Sequence, residues 1–199
     1  VSYGGDGTVK DVVNGLLDTD VPLGILHGGT GNAMAYELGI PNPLEEALNL
    51  IAGDHQLKSV DLGKVTCAND PEKVGYFMLR TSMNVQTKIL ETADRELKNH
   101  WGNMAYVMAS LQVLRQESEG ITYRFTIDGQ EVEGTGLTAM IANSASVGGQ
   151  RAFKFAPAVD PSDGLLDVLI IDNSVEGALS MLGSALEIQG VKFPQHWTG

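Results

Sequence analysis

Val1-Ser2-Tyr3-Gly4-Gly5-Asp6-Gly7-Thr8-Val9 opens the chain and decides how the rest is read. Val1, Ser2 and Tyr3 have the character of a strand end, whereas Val9, Val12, Val13, Leu16 and Leu17 return at helical spacing. The glycines therefore join a strand to a helix. Glycine admits backbone conformations that turn successive N–H groups toward one point, and a helix N-terminus adds partial positive charge there, so the stretch suits an anion such as a phosphate. Asp6 could hold a magnesium-bound phosphate or accept a proton. Taken alone, the same five residues are equally a tight turn capped by Asp6.

A second unit of the same kind follows. Pro22 to Leu26 reads as a short buried strand, Gly28-Gly29-Thr30-Gly31-Asn32 as its loop, and Thr30 to Leu38 as a helix stopped by Gly39 and Pro41. In a parallel sheet both loops fall at the carboxyl ends of their strands, where such sheets bind ligands. Thr30 could give its hydroxyl and N–H to a phosphate, with Asn32 beside it, or could simply be the helix N-cap. Two such loops together describe a phosphate site and point to phosphotransfer.

The chain divides near Gly53 to Lys58. Residues 1–54 alternate strands and helices, Pro43 to Ala52 being the last helix, and make a partial α/β nucleotide-binding domain with a parallel sheet. Residues 55–199 carry strand-like runs at Lys58 to Cys67, Gly75 to Thr81, Ile121 to Ile127, Val132 to Ala142 and Leu166 to Ile171. They read as a mostly antiparallel β domain. Asp128-Gly129, between two of those runs, is a hairpin turn signal. A stripe of Trp101, Met104, Val107, Met108, Leu111 and Leu114 on a helix spanning Asn99 to Ser118 could cover a sheet or enter lipid.

These motifs closely resemble the diacylglycerol kinase catalytic-domain family, which includes bacterial soluble lipid kinases and sphingosine kinases. The likeness rests on Gly4 to Thr8 with Asn14-Gly15, on Leu23 to Asn32 with Leu38-Gly39-Ile40-Pro41, and on Val60-Asp61-Leu62-Gly63. It continues through Gly102 to Tyr106, Asn143 with Gly148-Gly149, and Pro157-Ala158 with Asp160 and Asp163 to Val168. The resemblance implies that the second domain is a β-sandwich whose cleft against the nucleotide domain receives a lipid. It implies ATP and Mg2+ as cofactors, with Gly5, Asp6, Gly7, Thr8, Val9, Lys10, Asp11, Thr30 and Asn32 at the nucleotide and Asp6 as the catalytic residue. For the metal it implies Asp160, Asp163 and the Leu165 carbonyl, with Asp61 behind them orienting water; without a metal, the same segment is an Asp-rich turn. Asp167 is expected to face solvent or a neighbouring strand.

Departures from the family pattern fall at Lys10, Asp11, His27 and Ala33. His27, beside the second loop, could also touch a phosphate. Against that pattern a strand, helix and strand before Val1 and an Asp-Gly-Glu segment after Gly199 are expected to be missing. The latter is thought to bring the carboxylate that takes the lipid hydroxyl proton. The implied reaction is phosphoryl transfer from ATP to diacylglycerol, giving phosphatidic acid. A sphingoid base, ceramide or phosphatidylglycerol would fit equally; a non-catalytic nucleotide-binding regulatory module and an NAD kinase are the other readings.

Composition bounds the rest. With 43% hydrophobic residues the chain can bury real cores. Its single cysteine, Cys67, excludes an internal disulfide and reads as an ordinary strand residue. A net charge of −12 argues against nucleic acid, whose binding needs Lys and Arg on phosphates, and against steady adhesion to anionic membranes. With no leader or long apolar stretch, the expected location is cytoplasmic, with transient peripheral contact at the membrane that holds the lipid. The scattered histidines offer no zinc site. An unpaired sheet edge in the first domain would favour self-association, a homodimer being its simplest form.

Overall fold

A computed structural model describes residues 1–83, 120–136, 138–149 and 152–171, together with the backbone of 196–198. The helix expected over Asn99 to Ser118, with Gly102 to Tyr106, lies outside the described residues.

The first region begins with β1 (Ser2–Gly4), α1 (Asp6–Leu16) and β2 (Ile25–His27), followed by the short α2 (Ala33–Glu37) and by α3 (Leu44–Ala52). β1 and β2 pair in parallel with Ser2 opposite Ile25 and Gly4 opposite His27, so both strands end at the same level. Beneath them Val9, Ile25, Met34 and Ala35 form one buried cluster. Val13, Leu23, Leu38 and Ile40 flank it, and so do Val60, Met78 and Leu79 from the following region, which fastens the two regions by apolar contact.

The second region is antiparallel throughout its described strands. β3 (Gly63–Cys67) and β4 (Asp70–Phe77) form one hairpin, and β6 (Ile121–Ile127) and β7 (Gln130–Gly136) another. β5 (Arg80–Met83), β8 (Thr138–Ala142), β11 (Asp167–Ile171) and β12 (His196–Thr198) make a four-stranded sheet in the order β12-β11-β8-β5. Between them lie the paired strands β9 (Ser146–Val147) and β10 (Phe153–Lys154). Ala142, Ala145, Phe153, Phe155, Val159 and Leu169 form the core here. β11 is buried at all five positions, which explains why Asp167-Val168-Leu169-Ile170-Ile171 reads as an unbroken apolar run after its first residue.

The Asp128-Gly129 turn is where the sequence placed it. Both residues have positive φ, 49° and 80°, and Ile127 pairs with Gln130, the geometry of a two-residue hairpin turn. Several other boundaries differ. The strand expected from Lys58 starts only at Gly63, because Asp61 is tied to a distant loop through its N–H on the Pro161 carbonyl. The run Gly75 to Thr81 breaks at Met78-Leu79, whose carbonyls turn to accept from Asn143. Val132 to Ala142 is two strands with different partners, β7 on β6 and β8 between β5 and β11. Of the two places expected for Asp167, solvent or a neighbouring strand, the structure shows the second: it is 3% exposed between strands, opposite Ala142 and Thr198. Cys67 ends β3 and is exposed.

Candidate functional site: two glycine loops back to back

α1 begins one residue earlier than an open loop would allow: Gly5 is its N-cap and Asp6 its first residue. The Val9 N–H donates to the Gly5 carbonyl at 3.0 Å, closing the first turn. The N–H groups of Asp6, Gly7 and Thr8 precede that bond and, as in every α-helix, have no partner within it. Gly7 and Thr8 are exposed, and a Cβ placed on Gly7 would meet nothing within 4 Å. Donors, helix dipole and open space therefore coincide, the arrangement that attracts an anion.

The second loop closes against the first. The Gly28 N–H donates to the Gly4 carbonyl at 3.1 Å, and a Cβ on Gly28 would stand 2.7 Å from the Gly4 nitrogen. A Cβ on Gly29 would fall inside the Gly5 Cα. Only glycine permits backbones to approach this closely. Asn32 sits at the N-cap of α2 with φ 59°, and its amide accepts from the Gly29 N–H at 2.9 Å and donates to the Gly29 carbonyl at 2.7 Å.

The helix expected from Thr30 starts only at Ala33, so Thr30 is not its cap. The cap comes instead from the other loop: the Met34 N–H donates to Asp6 Oδ1 at 3.1 Å, while Asp6 Oδ2 lies 2.8 Å from where a Cβ on Gly31 would stand. Asp6 thus joins both loops. Thr30 is exposed above them. Val9 is 3% exposed in the core and its N–H is engaged, so it supports the turn rather than reaching a ligand. Lys10 and Asp11 are exposed on α1. His27 Nε2 donates to the Ile40 carbonyl at 2.9 Å, tying the end of β2 to the Gly39-Ile40-Pro41 turn.

The 160–165 loop is held by Asp61, which follows Val60 of the cluster beneath the first region. Asp61 Oδ2 accepts from the Gly164 N–H at 2.7 Å, its N–H donates to the Pro161 carbonyl at 2.8 Å, and its own carbonyl accepts from Asn143 Nδ2 at 2.8 Å. Asp160 Oδ1 accepts from the Ser162 N–H and Asp163 Oδ1 from the Leu165 N–H, both at 3.0 Å. One oxygen of each carboxylate is so engaged. Among the described residues no three His, Cys, Asp or Glu side chains gather closely enough to hold a metal.

Sequence reasoning missed a polar junction behind the cradle. Glu37, whose side chain is 3% exposed at the end of α2, accepts from Ser144 Oγ and Ser146 Oγ, both at 2.5 Å, and pairs with Lys154 Nζ at 2.6 Å. Arg80 Nη1 donates to the Ser146 carbonyl at 2.9 Å, and its guanidinium lies 5.2 Å from the Phe155 ring centroid. Burial pushes Arg80 below the ordinary arginine value, and the negative charge of Asp6 draws it back up. No motif announces these residues; the one available signal was an Arg inside the apolar run Tyr76 to Met83.

Residues 1–65 match the model of the diacylglycerol kinase catalytic domain, and residues 82–188 match that of the YegS C-terminal NAD kinase beta sandwich-like domain. An uncharacterized protein of Synechocystis sp. is 36% identical over 173 residues, 85% of this chain and 37% of its own length. A diacylglycerol kinase of Mycobacterium tuberculosis is 35% identical over 166 residues, 83% of this chain and 52% of its own. The chain thus spans about half or less of these relatives. A crystal structure of a diacylglycerol kinase from Bacillus anthracis superposes with a TM-score of 0.68 over 99% of this chain and 62% of that one, at 23% identity, which speaks to the fold. With a catalytic-domain start and a β-sandwich module covering more than half of its length, the chain belongs to the diacylglycerol kinase catalytic-domain family.

Proposed function

We propose that this chain carries the nucleotide cradle and facing β-sandwich of an ATP-dependent lipid kinase, which transfers the γ-phosphate of ATP to the free hydroxyl of diacylglycerol and yields phosphatidic acid. The supporting observation is the junction of the two glycine loops: open N–H groups of α1, space beyond Gly7, and the Asp6 carboxylate, all at one place.

Phosphoryl transfer demands charge neutralisation and alignment more than covalent help. The hydroxyl oxygen bonds to the γ-phosphorus, the bond from that phosphorus to the β,γ-bridging oxygen breaks, and ADP leaves with its electron pair. The hydroxyl proton goes to a carboxylate, and Asp6 stands at the cradle to assist. The N–H groups of Asp6, Gly7 and Thr8, with Gly5 at the cap, would hold nucleotide phosphates, with Thr30 closing the far side. Mg2+ would be held by Asp160, Asp163 and the Leu165 carbonyl as a structural ion; when bound it would supply fixed positive charge that orders this loop and, through water and Asp61, links it to the site. Asp61, bonded to Gly164, would hold that loop in place and orient water beside it. The lipid brings transient contact with a membrane surface. Among the described residues no helix is long and apolar enough to cross one.

The test incubates the full chain with Mg-ATP labelled at the γ-phosphate and vesicles of diacylglycerol, ceramide, sphingosine or phosphatidylglycerol, with NAD as a further acceptor. Label is expected in phosphatidic acid. Label in another lipid would change the acceptor, label on NAD would replace the lipid assignment, and ATP binding without transfer would leave a nucleotide-binding module.

A further inference from the structure

Glu37 and Arg80 come from opposite regions and meet on one residue. Ser146 gives its hydroxyl to Glu37 on α2 and its carbonyl to Arg80 on β5. Ser144 and Lys154 close the carboxylate from the other sides, so a nearly buried charge is fully partnered. At its other end α2 gives the Met34 N–H to Asp6. A five-residue helix is too short to hold itself in place. Beyond the burial of Met34 and Ala35 beside Val9, its position is fixed by these two grips, and one of them belongs entirely to the second region. The backbone approach of Gly148 to Gly31 and Ala33 adds a third contact on the same side.

We propose that Glu37 and Arg80 are positioning residues for the transfer, two arms joined at Ser146 that set the distance between the Asp6 carboxylate and the β region facing it. The proposal rests on the lipid-kinase reading for its effect on rate, while the mechanical part stands on the hydrogen bonds alone. A cation within electrostatic reach of Asp6 also suits the negative charge that a triphosphate brings to the cradle. The α1 N–H groups are anchored by Val9, which packs on Ile25 of β2 as well as on Met34 and Ala35 of α2, and neither arm is part of that cluster. Loosening the arms should therefore misalign the reacting groups without removing the phosphate donors, and a displacement near 1 Å can cost about 100-fold in rate.

The experiment uses the full chain with Arg80→Met, Arg80→Lys and Glu37→Gln, and reads amide hydrogen exchange and steady-state kinetics. Arg80→Met and Glu37→Gln are expected to speed exchange at Met34 and its α2 neighbours by ~10-fold or more, while the Val9 amide is unchanged. In transfer assays they should lower kcat by ~10-fold or more, with KM for ATP within about 2-fold, and Arg80→Lys should recover part of that loss. A lower melting midpoint with unchanged kcat per folded molecule, or unchanged exchange at Met34, would overturn the proposal. If the wild-type chain transfers phosphate to no acceptor, the lipid-kinase reading fails, and the exchange measurement still decides whether the arms hold α2.

Discussion

The glycine loops and the 143–148 segment touch at Gly31 and Gly148, yet they are specified by opposite means. The loops are fixed by the absence of side chains: β1 and β2 end level, and backbone meets backbone at Gly5 and Gly29. The 143–148 segment is fixed mainly by polar side chains reaching other segments. Asn143 reaches Asp61 and Met78, while Ser144 and Ser146 reach Glu37. The first kind of contact tolerates no added atom, and the second tolerates no lost partner.

The largest effect should come from the one side chain that serves both loops. Asp6→Asn keeps an oxygen for the Met34 N–H, so the melting midpoint should move little, while transfer falls ~1,000-fold, within the range for losing a proton acceptor. Initial rates beside thermal melts check this. A comparable loss of stability would mean that Asp6 is chiefly a structural cap.

Gly29→Ala and Gly148→Ala come next. Each added methyl meets backbone that cannot swing aside, and each should destabilise by about 3 kcal/mol in denaturant unfolding. Gly148→Ala acts at the one point where both kinds of contact meet, so a mild result there would show that the two regions can slide.

Asn143→Leu tests the polar side. It leaves the carbonyls of Asp61 and Met78 without their donor in a fully buried place, an expected cost of about 2 kcal/mol by the same unfolding measurement. Gly7→Ala is the smallest and has the opposite sign. It lies in open space inside α1 and should stabilise by about 0.5–1 kcal/mol. Calorimetry should find weaker ATP binding by the same variant, because its methyl enters the space proposed for phosphate.

The same contrast explains what the sequence disclosed. Glycine contacts are legible because no other residue type will serve, and Gly4 to Thr8 and Gly28 to Asn32 marked both loops and the parallel pair. The Asp128-Gly129 turn was legible for the same local reason. Asp6 was found, but its partner Met34 was not, since the bond spans 28 residues and nothing in a methionine advertises its N–H. The alternative of Thr30 as a cap rests on its place before an apolar run, a rule blind to a cap donated by another helix. Glu37 looked like any acidic residue on a short helix; only the fold brings two serines and a lysine onto it. The strand breaks at Leu79 and Gly136 escaped because apolar runs do not record which neighbour each half will pair with.

The most direct measurement is an amide chemical-shift titration of the full chain with Mg-ATP. The largest shifts are expected at Asp6, Gly7 and Thr8, with a second group at Gly29 to Asn32 and weaker changes at Met34. Saturable binding that leaves these amides unmoved would place the nucleotide elsewhere and contradict the cradle.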